Sequence, residues 1–187
     1  MTALKKFKFQ QFAVDSLFEK VSAVWVSKPE NLSERYVYMV APTGSGKTVM
    51  IGELLQRLTD LGTQEGLENR CFIWLTPRPL LAKQSKRSLE RTYNLNCQDF
   101  DDNVKELKNN EIFFCNWELL KTGNYGKDDR DIERHTFWKM LDNTKEHREV
   151  ILLIDEAHFG VATEKTDNLI QNIDPACLLY TSPSPRD

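Results

Sequence analysis

Long apolar runs are absent from this chain of 187 residues, and none approaches the ~20 consecutive apolar residues that a membrane span needs. The N-terminal MTALKKFKFQ is basic, but it lacks the apolar centre and small-residue cleavage site of a secretory signal. The chain therefore reads as cytoplasmic, with no membrane partner. Cysteine is scarce: Cys71, Cys97, Cys115 and Cys177 are scattered without a C-x-x-C pair, which argues against a zinc site or a disulfide framework. Cys71 and Cys115 lie in apolar, strand-like runs, where a free thiol packs as a small hydrophobe. Excess positive charge is missing too, since 25 basic residues face 28 acidic ones for a net charge of −3. Whole-chain charge does not announce a nucleic-acid partner, although a groove needs only a local basic stripe. No internal repeat and no linker-like stretch divides the sequence. Hydrophobic residues at 40% and charged ones at 28% are ordinary for one soluble globular domain with a single core.

What is present is an alternation of short apolar runs with longer helical patterns. Tyr36–Val40 (YVYMV) is a strand candidate that leads directly into a glycine-rich turn. Lys47–Leu61 then places Val49, Met50, Leu54, Leu55 and Leu58 at helical spacing. Cys71–Leu75, Glu111–Cys115 and Val150–Ile154 are three further strands. Helices are expected over Leu80–Thr92 and about Ile132–Asn143, the second after a loop (TGNYGKDD) in the charged stretch Lys121–Glu149. Continuous apolar strands separated by helices imply a parallel sheet covered on both faces, in a single α/β domain.

Ala41–Thr48 reads APTGSGKT, between a strand and a helix, the setting that a phosphate-binding loop requires. Gly44 and Gly46 permit a tight wrap, and successive N–H groups from Thr43 to Thr48, with Ser45 among them, can then face phosphate oxygens. Lys47 is expected at the β- and γ-phosphates of ATP, and the Thr48 hydroxyl on Mg²⁺. Ala41 stands where the strict pattern has glycine, a small-for-small change. Chance produces the looser pattern in roughly one chain in a hundred at average residue usage.

Ile151–His158 reads ILLIDEAH. An apolar strand ending in two acids puts Asp155 at the carboxyl edge of the sheet, where ligands bind in open α/β folds. Asp155 would hold Mg²⁺ and Glu156 would orient the attacking water. The bland alternative is a helix N-terminus with favourable acidic residues. Together, APTGSGKT and DEAH resemble the first RecA-like domain of superfamily 2 helicases of the DEAD/DEAH class. That resemblance implies a RecA-like fold, ATP hydrolysis, and a coupling role for His158 between nucleotide and nucleic acid. His135 and His147 match no motif and read as solvated.

Three more stretches are similar to the same family. Lys8–Leu17 (KFQQFAVDSL) resembles its N-terminal glutamine motif, which assigns adenine recognition to Gln10, with Gln11 as the competing register. Phe7 and Phe9 are open to two readings, packing on the base or filling the core. Leu75–Gln84 (LTPRPLLAKQ) resembles the motif that grips one strand, which implies nucleic-acid contacts by Thr76, Pro77 and Arg78; a solvated Arg78 is the alternative. Phe114–Leu120 (FCNWELL) resembles a further strand-contacting motif with Asn116 at its centre, and Trp117 is expected in the core. HFGVATEKTDNLIQNIDP, which follows DEAH, resembles the Res motor subunits of type III restriction enzymes and their UvrB-like relatives. This implies a double-stranded DNA partner and a modification (methyltransferase) subunit. The same family uses a second RecA-like domain to supply an arginine finger, so residues 1–176 on their own are expected to hydrolyse ATP very poorly.

The last eleven residues, Cys177–Asp187 (CLLYTSPSPRD), resemble the translated read-through of a sequencing adapter. They are expected to form a non-native tail without regular structure beyond its first residues, so that the ATP-binding domain is assigned to residues 1–176. Two rival readings stay open: a phosphate-loop ATPase indifferent to nucleic acid, and an RNA helicase of the DEAD/DEAH class.

Overall fold

The computed structural model describes residues 7–61, 69–99, 104–116, 120, 129–155 and 164–182, with backbone alone for 129–135 and 164–165. Among these residues six strands run: β1 (Tyr36–Val40), β2 (Arg70–Thr76), β3 (Cys97–Asp99), β4 (Ile112–Asn116), β5 (Glu149–Ile154) and β6 (Cys177–Ser182). They form one sheet in the order β1-β6-β5-β2-β4-β3, and every pairing is parallel. All carboxyl ends therefore lie along one edge. The four strands read from the sequence are present within a residue at each end, because continuous β-branched and aromatic runs suit a sheet buried on both faces.

The helices are α1 (Lys8–Ser27), α2 (Lys47–Asp60), α3 (Pro79–Tyr93), α4 (Asp129–Lys145) and α5 (Glu164–Ile173), with a 3₁₀ turn at Leu32–Arg35. On one face, Val14, Trp25, Leu54 and Leu89 of the first three helices pack on Phe72, Trp74, Phe114, Leu153 and Leu179. On the other, Phe137 and Leu141 of α4 and Leu169 and Ile170 of α5 pack on Ile73, Phe113, Leu152 and Leu178. Alternation along each strand explains the division: Phe72 and Trp74 point one way, Ile73 and Leu75 the other. The structure bears out the expected α/β fold with helices on both faces.

Two differences from the sequence reading matter. The helix α1 is continuous through the glutamine motif, burying Val14, Leu17, Val21 and Trp25 along one stripe. The stretch from Cys177, expected to be irregular beyond its first residues, forms β6 through Ser182, inserted between β1 and β5. Leu178 and Leu179 are buried on opposite faces. Two flanking parallel strands satisfy the backbone of β6 on both sides, which a short apolar run accepts readily.

Candidate functional site

The phosphate loop, the glutamine motif, Asp155, the Thr76–Arg78 turn and Asn116 all meet the carboxyl edge of the sheet, while Ile173-Asp174-Pro175 lies at the amino edge, ahead of β6. β1 runs into the phosphate loop, where Gly44 and Gly46 take φ of 77° and 85°. These left-handed conformations cost a side-chain-bearing residue about 1–2 kcal/mol. The loop is closed by the Ser45 N–H donating to Pro42 O at 3.1 Å. Gly46 caps α2, whose first ladder bond runs from Met50 N to Gly46 O at 3.0 Å. The earlier N–H groups of the helix thus face the loop rather than a turn of their own. The Lys47 ammonium lies back across the loop, donating to Ala41 O at 2.8 Å and Pro42 O at 3.2 Å. Thr43 is exposed and Thr48 half-buried.

Of the two glutamines, Gln10 is turned toward this loop and Gln11 is exposed. Gln10 Nε2 donates to Ser45 O at 2.9 Å, and its Oε1 accepts from the Phe7 N–H at 3.1 Å. A Cβ on Gly46 would stand 2.6 Å from Gln10 Nε2, so a side chain there would displace the Gln10 amide as well as strain the backbone at φ 85°. Phe7 and Phe9 stack with centroids 5.9 Å apart and are 67% and 54% exposed, which removes the core reading for both.

At the end of β5, the Asp155 N–H donates to Leu75 O of β2 at 3.0 Å, and its carboxylate accepts the Thr181 hydroxyl of β6. The Ala41 N–H donates to Ser182 O at 3.2 Å, tying the loop to the same strand. Thr181 was not singled out in the sequence. The signal available was its place at the end of an apolar run after Ile173-Asp174-Pro175. Glu156 and His158 lie outside the described residues, as does Trp117. His147 is exposed just past α4.

Farther along the edge, Arg78 is exposed at the N-terminus of α3, and Asn116 is half-buried at the end of β4. Thr76 departs from its expected outward role. It is fully buried, and its hydroxyl donates to Arg78 O at 3.1 Å, so it shapes the turn that presents Arg78 and Pro77. The edge is therefore ordered, with loop and Gln10 at one side, Asp155 in the middle, and Arg78 and Asn116 at the other.

The loop suits an anionic phosphate chain. A Cβ on Gly44 would meet nothing within 4 Å, which leaves room for a close approach of oxygen to backbone. Ser45 Oγ is buried without a hydrogen-bond partner, a donor suited to such an oxygen. Among the described residues, no group of three His, Cys, Asp or Glu side chains clusters. A divalent ion here would rest on Thr48, Asp155 and phosphate oxygens, the sparse protein donor set that Mg²⁺ tolerates.

A parallel sheet of this order with a lysine-bearing loop after β1 and an aspartate after β5 is the layout of a phosphate-loop ATPase domain, and the family match makes it one of helicase type. The type III restriction enzyme Res subunit family model matches residues 3–186, and the chain belongs to that family. The UvsW helicase from bacteriophage T4 has the same fold, at 16% identity and a TM-score of 0.53, over 98% of this chain and 54% of that one. A nuclease-deletion mutant of the type ISP restriction-modification enzyme LlaGI, solved with a DNA substrate mimic, matches at 12% identity and a TM-score of 0.61. That match covers 97% of this chain and 18% of LlaGI. The chain thus spans about half of one solved relative and under a fifth of the other. No curated protein matches it.

Proposed function

We propose that this domain binds MgATP and drives translocation on double-stranded DNA, as part of the motor subunit of a type III restriction-type enzyme working with a methyltransferase partner in the cytoplasm. The observation that carries the reading is the shared edge. The Asp155 N–H bonds to β2, the strand that leads to Arg78, while its carboxylate bonds to Thr181 beside the phosphate loop. A change at the nucleotide thus has one short route to the Arg78 turn, through Thr181, Asp155 and Leu75.

In this reading Gln10 reads the adenine edge, and exposed Phe7 and Phe9 pack against the base. Phosphate oxygens take the N–H groups of Thr43 to Thr48, and the Lys47 ammonium moves from Ala41 O and Pro42 O to the β- and γ-phosphates. Mg²⁺, held by Thr48 and Asp155, would neutralise charge developing on the phosphoryl oxygens. Glu156 orients the attacking water, and His158 relays the nucleotide state. Arg78, Pro77 and Asn116 hold one strand by its phosphates. An arginine finger supplied from another domain is worth ~10³–10⁵ in rate in related systems, so residues 1–187 alone turn over ATP very slowly.

ATP hydrolysis by the full-length protein, with and without duplex DNA, tests this. Stimulation by DNA that Glu156→Gln abolishes, with nucleotide binding retained, is the expected result. Hydrolysis indifferent to DNA and RNA would favour an ATPase outside nucleic-acid metabolism. Stimulation by RNA alone would replace DNA as the substrate.

A further inference from the structure

Helix α3 carries a charge opposite to that of the chain. Its fifteen residues hold Lys83, Lys86, Arg87 and Arg91 against the single acid Glu90, while the chain as a whole is at −3. The buried residues Ala82, Ser85 and Leu89 fix which face is inward. The helix is locked in place by Tyr93, whose hydroxyl donates to Val49 O at 2.8 Å and whose ring leaves no room for a Cβ on Gly52. Lys86, at the flank, is spent on Asp99 at 2.6 Å and Glu90 at 3.9 Å. Lys83, Arg87 and Arg91 recur every fourth residue on the outward face and are all exposed. Among the described residues, none of these three has an ion pair or hydrogen bond to another side chain. Leu80, 65% exposed, continues the same stripe toward Arg78 at the helix N-terminus.

We infer that this stripe is a second nucleic-acid contact, on the phosphate backbone of a duplex flanking the strand held at Arg78. It rests on the reading under Proposed function. Two successive four-residue steps span about 12 Å along a helix at 1.5 Å per residue. Along a duplex axis that length covers three to four base-pair rises of about 3.4 Å each. The stripe carries no aromatic side chain. Unstacked single strands are gripped by stacking, so cations without aromatics fit a backbone whose bases stay paired. The contact reads no sequence and adds a salt-dependent hold beside the tracked strand.

The test uses the full-length protein with the triple substitution Lys83→Ala, Arg87→Ala, Arg91→Ala, and Arg78→Ala separately. Probes are a short single strand and the same strand extended into a 20-base-pair duplex, each titrated across a range of salt. The triple variant should bind the duplex-bearing probe about tenfold or more weakly at low salt. Its log–log salt slope should be shallower by about 2 to 3, near 0.9 per lost phosphate contact. Affinity for the single strand and for nucleotide should stay unchanged. Unaltered duplex affinity and slope, with Arg78→Ala still weakening binding, overturns the stripe alone. Equal losses on both probes would place the stripe on the tracked strand and overturn the duplex assignment. Absence of any nucleic-acid binding by the unmodified protein overturns the underlying reading as well.

Discussion

The two edges of the one parallel sheet are built on opposite principles. At the amino edge, polar groups are matched to one another. Arg35, mostly buried, donates to Pro29 O, Glu30 O and Pro175 O and to Asp174 at 2.8 Å. Lys145 donates to Ile173 O and approaches Asp174, Lys28 pairs with Glu149, and the Trp25 indole N–H donates to Glu149 as well. Lys28, Arg35, Lys145, Glu149 and Asp174 line a cavity of about 250 Å³ with their charges already paired. At the carboxyl edge the chain instead holds two left-handed glycines and, among the described residues, an unpartnered buried Ser45 hydroxyl and a lysine bonded to carbonyls of its own loop. A closed edge stabilises the fold; an edge with unmatched donors is where an anion gains most. Perturbing the first should move stability, and perturbing the second should move binding.

Arg35→Ala should make the largest difference in stability, since four acceptors lose charge-assisted donors together. About 2 kcal/mol is expected, read by denaturant unfolding, with nucleotide affinity unchanged. A loss of nucleotide affinity instead would erase the distinction between edges. Gly46→Ala is the converse case. Left-handed strain and the 2.6 Å approach to Gln10 Nε2 should cost about 1–2 kcal/mol and displace Gln10, weakening ATP more than GTP. Equal loss for the two nucleotides would detach Gln10 from adenine recognition.

The smallest effect concerns how dry the amino edge is. Cys71 and Cys177 lie at the starts of β2 and β6, and burial pushes both thiols up to about 12. The folded chain keeps these protons where the unfolded chain loses them. Stability should therefore hold through neutral pH, where the loss is nil, and begin to fall only as pH rises past 9 toward 12. Both thiols should also resist alkylation at pH 8 until the chain unfolds. Rapid modification of the folded protein would mean that water enters this edge.

Much of this was legible in the sequence because a few local patterns are unambiguous. VILLI, CFIWL and YVYMV are continuous apolar runs, and a sheet buried on both faces is what they can form. APTGSGKT needs both its glycines at positive φ, so its loop could be read without coordinates. The helix over the glutamine motif is harder to read, because the exposed Phe9 and Phe12 blur the apolar stripe that Val14, Leu17, Val21 and Trp25 form at helical spacing. β6 was obscured by the adapter-like string. CLLYT satisfies the same rule as VILLI, and its central position depended on pairing with strands that lie far away in sequence. Thr76 shows the limit of motif transfer, since only the fold reveals that its hydroxyl turns inward to Arg78 O. The choice between Gln10 and Gln11 likewise needed the helix phase and the position of Ser45 O.

In the proposed function the carboxyl edge is a nucleotide site in which Lys47 supplies the mobile charge. Titration of residues 1–187 with a fluorescent ATP analogue, with and without Mg²⁺, tests it most directly when repeated on Lys47→Ala. Saturable, Mg²⁺-strengthened binding that falls by about tenfold or more in the variant, at unchanged thermal stability, is the predicted result. Binding that Lys47→Ala leaves intact, or no binding by the unmodified chain, would contradict it.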